Sequence, residues 1–370
     1  MDVESYILSR IMKRPLSGGL LLCGSPFIFT PTWDFCFIIG NMSISDRKNN
    51  HIEVCLREDV RSRLSSGFEK YRLIHNALPE ADFGTFPIGT EFLGKPITAP
   101  FLISSMTGGT EYGEKINRAL LGAAAELGLP FAIGSQRIYL EDPEKELHGL
   151  RKAAPGIPLL ANLGAVQLNY GYTREHCLRA VEMLEADALI LHLNPLQELI
   201  QTGGNVDFSG LLKKIEDLCG DFPVPVIVKE VGWGIRAENA KQLTDAGVSM
   251  IDVAGAGGTS WSEVESRVSG SDRSRQMADP FSDWGIPTAE CLTSIRERYP
   301  EIRLIASGGI TNGVEAAKAV MLGAELCGMA GRLLRTAAEK DAEAVADEIR
   351  MIIEQYKIAR FLSCGIEKIA

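Results

Sequence analysis

Leu189-Ile190-Leu191-His192-Leu193-Asn194-Pro195-Leu196-Gln197-Glu198 is the stretch from which the rest of the chain is best read. Its first three residues are apolar with no turn residue among them, which suits a buried strand. It then turns polar within a few positions. His192, Asn194, Gln197 and Glu198 surround Pro195, which cannot continue a strand ladder. An apolar strand that ends in donors, acceptors and a carboxylate looks like the chemical end of a parallel barrel strand. The competing reading is a helix N-terminus with a polar first turn, because short apolar runs are ambiguous.

Working outward, seven further apolar runs flank this one: Phe101–Met106, Phe131–Gly134, Pro158–Gly164, Pro225–Val231, Met250–Gly255, Arg303–Gly309 and Leu326–Gly331, with Ala188–Leu193 itself fourth in order. Between them lie Ile116–Leu127, Arg174–Leu184, Phe208–Leu218, Ala237–Ala246, Ala289–Arg298 and Gly313–Leu322, with apolar residues at spacings of three and four, the helical period. Strand–helix alternation with runs buried on both faces predicts an α/β fold, a parallel (β/α)8 TIM barrel. A doubly wound open sheet would more naturally carry GxGxxG after its first strand, and none is present. Each run also ends in polar residues and glycines, at the face where barrel enzymes keep their sites.

Composition narrows the function. The chain has 370 residues and a formal net charge of −10, so its overall field does not favour nucleic acid. An anionic ligand would need a local cluster of Lys and Arg. Eight cysteines are scattered with no CxxC pair, which suits reduced thiols in a cytoplasmic protein and argues against zinc. Residues 1–41 read as an atypical, non-native or disordered N-terminal extension, and 42–370 as the barrel domain. Pro26, Pro31 and Asp34 interrupt the apolar part of that extension, so no membrane span is expected.

The last two strand ends, Ser307-Gly308-Gly309-Ile310 and Gly328-Met329-Ala330-Gly331-Arg332, suit a phosphate. Barrels often bind one with the loops after strands seven and eight, and glycines let backbone N–H groups approach its oxygens. Gly255 to Ser260, after strand six, adds donors and two hydroxyls. Lys229 closes another buried run, which is unfavourable unless an anionic group meets it. That group is either a flavin edge or a neighbouring carboxylate, Glu230 or Asp252.

SSMTGG at 104–109, GSQR at 134–137, ANLG at 161–164, HLNPLQE at 192–198, VKEVGWG at 228–234, DVAGAGGTSW at 252–261, DWGIPTA at 283–289 and ASGGI at 306–310 occur in order. With Arg47-Lys48 they resemble the type 2, FMN-dependent isopentenyl-diphosphate isomerases over about residues 45–368. The resemblance implies reversible isomerisation of isopentenyl and dimethylallyl diphosphate, using FMN, Mg2+ and NADPH or another reductant. It places Met106, Thr107, Gly108, Ser135, Asn162, Lys229, Ala254, Thr259, Gly308, Gly309, Ile310, Ala330 and Gly331 against the flavin. Arg47, Lys48, Ser135, Gln136, Arg137 and Gln197 fall to the substrate. His192, Asn194, Gln197 and Glu198 form the catalytic set, and Glu198 also holds the metal. It implies a homotetramer or homo-octamer in the cytoplasm, with no nucleic-acid or membrane partner. Flavin N5 is the expected acid–base group at C4, and the C2 base is left between Glu198 and the flavin. His51 either meets the diphosphate or caps a helix.

Two other classes compete. One is another FMN-dependent barrel oxidoreductase, but an α-hydroxy-acid oxidase needs a late histidine base and no histidine follows His192. The other is a non-flavin, phosphate-binding barrel lyase, which leaves Met106, Thr107 and Lys229 without a ring to serve. A non-enzymatic binding module fits the eight polar strand ends poorly.

Overall fold

Pleat alternation is what builds this protein's site, so the strands come first. The computed structural model describes residues 44–369 apart from 143, 146 and 148, and the 1–41 extension lies outside the described residues. After helix Ile44–Arg57 come β1 (Tyr71–His75) and a hairpin of β2 (Thr90–Phe92) and β3 (Lys95–Ile97). Eight parallel strands follow: β4 (Phe101–Ile103), β5 (Phe131–Ala132), β6 (Leu159–Gly164), β7 (Ala188–Leu193), β8 (Val226–Glu230), β9 (Met250–Asp252), β10 (Leu304–Ser307) and β11 (Leu326–Met329). They pair in chain order and β11 returns to β4, closing the barrel. Each expected strand is present. The expected helices are observed at Glu111–Leu127, Arg174–Leu184, Leu211–Cys219, Ala237–Asp245, Thr288–Arg298 and Gly313–Met321. The last strand, β12 (Ser363–Lys368), pairs antiparallel with β1 outside the barrel.

Successive side chains of a strand face opposite ways. One set, including Phe101, Ile103, Leu189, Leu191, Val226 and Val228, packs under the helices. The other fills the barrel: Leu102, Ala132, Leu160, Ala188, Ile190, Ile227, Met250, Ile305 and Leu326. Phe92 and Ile97 of the hairpin join this inner cluster beside Pro100 and Leu326, and so plug the N-terminal end. Fully burying one such aliphatic or aromatic side chain contributes roughly 1.5–3 kcal/mol. The plug leaves the opposite end as the open mouth. No helix among the described residues is long and apolar enough to cross a membrane.

The stretch 189–198 satisfies both readings made of it. β7 ends at Leu193, and Asn194 caps a short helix, Pro195–Ile200, with proline at its first position. Proline suits that position because its missing N–H would be unpaired there anyway. The strand therefore hands its polar residues to a helical turn at the barrel mouth.

Candidate active site

Two residues beyond the apolar filling, the inward positions become polar. Ile190 is followed by His192, Ile227 by Lys229, Met250 by Asp252 and Ile305 by Ser307. Lys229, Asp252 and Ser307 bond to one another. Lys229 Nζ lies 3.2 Å from Ser307 Oγ and 3.4 Å from Asp252 Oδ2. Ser307 Oγ donates to Asp252 Oδ1 at 2.6 Å. Of the two carboxylates weighed for Lys229, Asp252 is the partner. Glu230 turns away and accepts from the N–H groups of Val231, Gly232 and Trp233. Its burial still pushes it up to about 7 against those three donors. Trp233 is itself buried, and its carbonyl accepts from Ile286, so it secures the 283–289 segment.

Asn162 Nδ2 donates to Ser105 Oγ at 3.0 Å, which leaves Asn162 Oδ1 facing His192 Nδ1 at 2.9 Å. That orientation puts the imidazole proton on Nδ1 and the lone pair on Nε2. Burial, then Lys229 and Lys48, lowers His192 to about 4. In this neutral form Nε2 accepts and does not donate, so His192 meets an anion only by taking up a proton.

Three glycine-rich ends on adjacent strands β9, β10 and β11 come together. Gly308 has φ +101 and a Cβ there would stand 2.0 Å from Gly255 O; Gly309 has φ +72 and presses on Gly257. Only glycine suits such backbone-to-backbone contact. Thr288 Oγ1 donates to Gly308 O at 2.6 Å and so fixes how that peptide is turned. Thr259 Oγ1 lies 3.2 Å from where a Gly331 Cβ would be. Ala330 precedes the first turn of helix Gly331–Glu339, so backbone N–H groups of that turn have no partner within the helix. N–H groups at the start of a helix, beside glycines that let a ligand approach closely, are an anion-binding arrangement. Ala254, with φ +37, is a strained non-glycine residue beside the same glycine-rich ends.

Across the mouth, the loop after β4 lies on the end of β5. A Cβ on Gly134 would overlap Thr107 O at 2.2 Å, so glycine is required for Met106, Thr107 and Gly108 to lie over the barrel. Lys48 reaches in from helix Ile44–Arg57 and donates to Ser135 O at 2.9 Å. Burial, then Lys145 and Arg137, lowers its ammonium to about 7, with Glu141 acting the other way. Arg47 precedes it on the same helix, half-buried, and Arg137 Nε bonds Glu141 at 2.7 Å.

The helix after β7 carries Gln197 and Glu198. Asn194 Nδ2 donates to both, at 3.1 and 3.0 Å, and Asn205 N donates to Glu198 Oε2 at 2.6 Å. Gln197 Nε2 donates to Glu265 Oε1 at 2.7 Å. The same Glu265 oxygen lies 3.0 Å from His51 Nε2, and the His51 ring meets Trp261 edge-on.

Two expectations need correction. Gln136 does not face the mouth: it is wholly buried, with Nε2 donating to Ala180 O and Oε1 accepting from Asn162 N. Both ends of its amide tie β5 to β6 and to the helix outside. His51 does not cap the helix: it lies within Ile44–Arg57, with Nε2 against Glu265. The important residue missed in the sequence is Glu265. Trp261, Val264, Glu265 and Val268 share one helix face by the 3.6 period, so a buried carboxylate on an apolar stripe was the available signal.

Fold and site together define a (β/α)8-barrel enzyme with glycine-rich ends on three neighbouring strands. Residues 194–370 match the family model described as FMN-dependent dehydrogenase. Among solved structures, a flavocytochrome b2 with sulfite bound aligns with TM-score 0.63 at 18% identity, covering 84% of this chain and 78% of its own. A mandelate oxidase aligns with TM-score 0.59 at 16% identity over 86% and 94%. Both show the shared fold. The isopentenyl-diphosphate delta-isomerase of Pseudescherichia vulneris is 51% identical over 319 residues, 85% of this chain and 91% of that one. Its counterpart from Nostoc sp. is 50% identical over 317 residues, 85% and 90%. The chain belongs to the isopentenyl-diphosphate delta-isomerase family, and it is an isomerase.

Proposed function

We propose that the protein interconverts isopentenyl diphosphate and dimethylallyl diphosphate, with FMN in the barrel mouth and Mg2+ on the diphosphate. The observation that carries this is one barrel end with three distinct parts: glycine-rich strand ends, a cationic side, and an amide held by a buried carboxylate. The glycine-rich ends and the polar ring fit FMN. Gly308, Gly309, Ile310, Ala330 and Gly331 would take its phosphate with Thr259 and Ala254 beside them, and Lys229 would stand at the ring edge. Met106, Thr107, Gly108, Ser135 and Asn162 complete that wall. Reduced FMN, when bound, supplies an electron-rich ring that stabilises positive charge and a nitrogen able to exchange a proton.

Arg47, Lys48, Ser135 and Arg137 would hold the diphosphate, and Arg137 suits two-oxygen contacts. Glu198 fits Mg2+. Its carboxylate is buried and fixed by two donors, one on each oxygen, so a second lone pair remains on each. Magnesium commonly takes one or two carboxylates and completes its shell with substrate phosphates. The reaction adds a proton at C4 and removes one at C2, with no net redox change. Gln197 does not titrate near neutrality, so it orients the alkene, and Glu265 is the ionisable group that holds Gln197. NADPH as reductant, a homotetramer or homo-octamer, and a cytoplasmic site belong to the same proposal.

The test is anaerobic incubation of the purified protein with isopentenyl diphosphate, FMN, NADPH and Mg2+. Dimethylallyl diphosphate is the expected product. A flavin-loaded protein that turns over no isopentenyl diphosphate would remove the reading.

A further inference from the structure

We propose that Lys145 is a third cation of the diphosphate subsite, acting with Lys48 and Arg137 on the same anion. This rests on the diphosphate reading of that side of the mouth. Lys145 lies just after the short helix Arg137–Glu141 and belongs to none of the ordered motifs that carry the family resemblance. Its Nζ donates to Gly109 O at 2.8 Å and to Ser45 Oγ at 3.0 Å. One ammonium thus ties together the loop after β4, the first turn of helix Ile44–Arg57 and the loop after β5.

Gly109 stands between the two lysines. It accepts from Lys145, and the place its Cβ would occupy is 3.3 Å from Lys48 Nζ. Among the described residues, the charged groups that act on Lys48 are Lys145, Arg137 and Glu141, with His192 beyond. Glu141 is already engaged by Arg137 and by Tyr172. Among the described residues, two further cations around a half-buried lysine, against one occupied carboxylate, form an arrangement that an anion relieves. A diphosphate brings the charge and the several acceptor oxygens that this cluster of N–H donors can meet.

The geometry has a pH signature. Lys48, held at about 7 by burial and by Lys145 and Arg137, must be protonated to attract an anion, so pyrophosphate affinity falls as pH rises above about 7. Removing the Lys145 charge weakens attraction for the anion. It also relieves Lys48, which then keeps its proton to higher pH. A role confined to bracing Gly109 and Ser45 predicts neither change.

The experiment titrates inorganic pyrophosphate with Mg2+ into the FMN-loaded protein by calorimetry across pH 6–9, for wild type, Lys145→Arg, Lys145→Gln and Lys145→Met. Glutamine keeps a donor for Gly109 and Ser45 without the charge, and flavin content verifies that each variant is folded. Binding about tenfold weaker in Lys145→Gln and Lys145→Met near pH 6.5, within about twofold of wild type in Lys145→Arg, is expected. The midpoint of the pH dependence should move upward in the two neutral variants. If Lys145→Gln binds like wild type with the same midpoint, Lys145 is a brace and the inference is overturned while the diphosphate reading stands. If wild type itself binds no pyrophosphate, the diphosphate reading falls and takes the inference with it.

Discussion

Replacing Lys229 with methionine separates its two possible jobs. Lys229 closes β8 inside the barrel, and Asp252 beside it is 0% exposed. Asp252 Oδ1 already accepts from Ser307 Oγ and from Ala254 N, but Oδ2 has only the Lys229 ammonium, 3.4 Å away and not aligned as a hydrogen bond. Breaking a buried pair by removing one partner costs about 3–5 kcal/mol, because the other charge stays behind uncompensated. The 3.4 Å separation puts this pair at the weaker end, so about 3 kcal/mol is the expectation. At roughly 2 °C per kcal/mol for a domain this large, Lys229→Met should lower the melting temperature by roughly 6 °C. The measurement belongs on flavin-free protein, since bound cofactor raises the melting point by mass action. Adding Asp252→Asn removes the stranded charge and should return the double variant to within about 1 kcal/mol of wild type. Flavin retention, read from the visible spectrum after gel filtration, should stay low in both. If Lys229→Met melts with wild type, the buried-pair reasoning is wrong. If the double variant regains flavin along with stability, Lys229 was only a counter-ion and has no place at the ring.

Three further outcomes are expected. Gln197→Ala should lose turnover by about a hundredfold with flavin content kept, while Glu265→Ala, which frees Gln197 from a charge-assisted bond worth about 2 kcal/mol, should lose about thirtyfold; equal losses of turnover and flavin would show that the pair is structural. Gly308→Ala forces a Cβ to 2.0 Å from Gly255 O at φ +101, so stability should drop by about 2 kcal/mol or more and FMN should dissociate; retention of tight flavin binding would place the phosphate elsewhere. His192, held at about 4 in the fold against an ordinary 6.5, resists a proton that the unfolded chain accepts, so stability is full above about pH 6.5 and declines as pH falls toward 4, by roughly 3 kcal/mol. Urea unfolding of His192→Gln across that window should show a flatter decline, and an unchanged slope would contradict a neutral imidazole at this position.

The barrel was legible because each of its strands is buried on both faces, which writes a continuous apolar run into the chain. Its polar rim was legible for a related reason. In Ile227-Val228-Lys229 and Ile305-Ala306-Ser307 the inward position changes from apolar to polar at the next pleat, where the plugged interior gives way to the mouth. The elements outside the barrel were not legible. β1 and β12 lie at opposite ends of the domain, and nothing local in Tyr71–His75 names Ser363–Lys368 as its partner. The β2–β3 turn uses Leu93 and Gly94, both at positive φ, without the Asn or Asp that usually marks such a hairpin. Gln136 misled because it stands between two residues of the expected substrate set, Ser135 and Arg137. Strand alternation had ended there, and the side chain turned into the wall.

Charge placement explains how a protein of net charge −10 can hold a phosphorylated flavin and a diphosphate in one mouth. The glycine-rich ends of β9, β10 and β11 would offer backbone N–H groups and so add no formal charge. The side chains of Lys48, Arg137 and Lys145 gather instead on the side of β4 and β5, around Gly109 and Ser135. The carboxylates Glu198 and Glu265 sit around the helix after β7, each fixed by at least one amide donor. A ligand with an anionic end and an end that becomes cationic in the transition state meets the matching sign at each, whereas one uniformly negative along its length would meet Glu265. Neutralising Glu265 should therefore cost turnover of the olefin while leaving pyrophosphate affinity within about twofold, because its charge faces the other end of the bound molecule. A large change in pyrophosphate affinity for Glu265→Gln would mean that the two signs are not spatially separated.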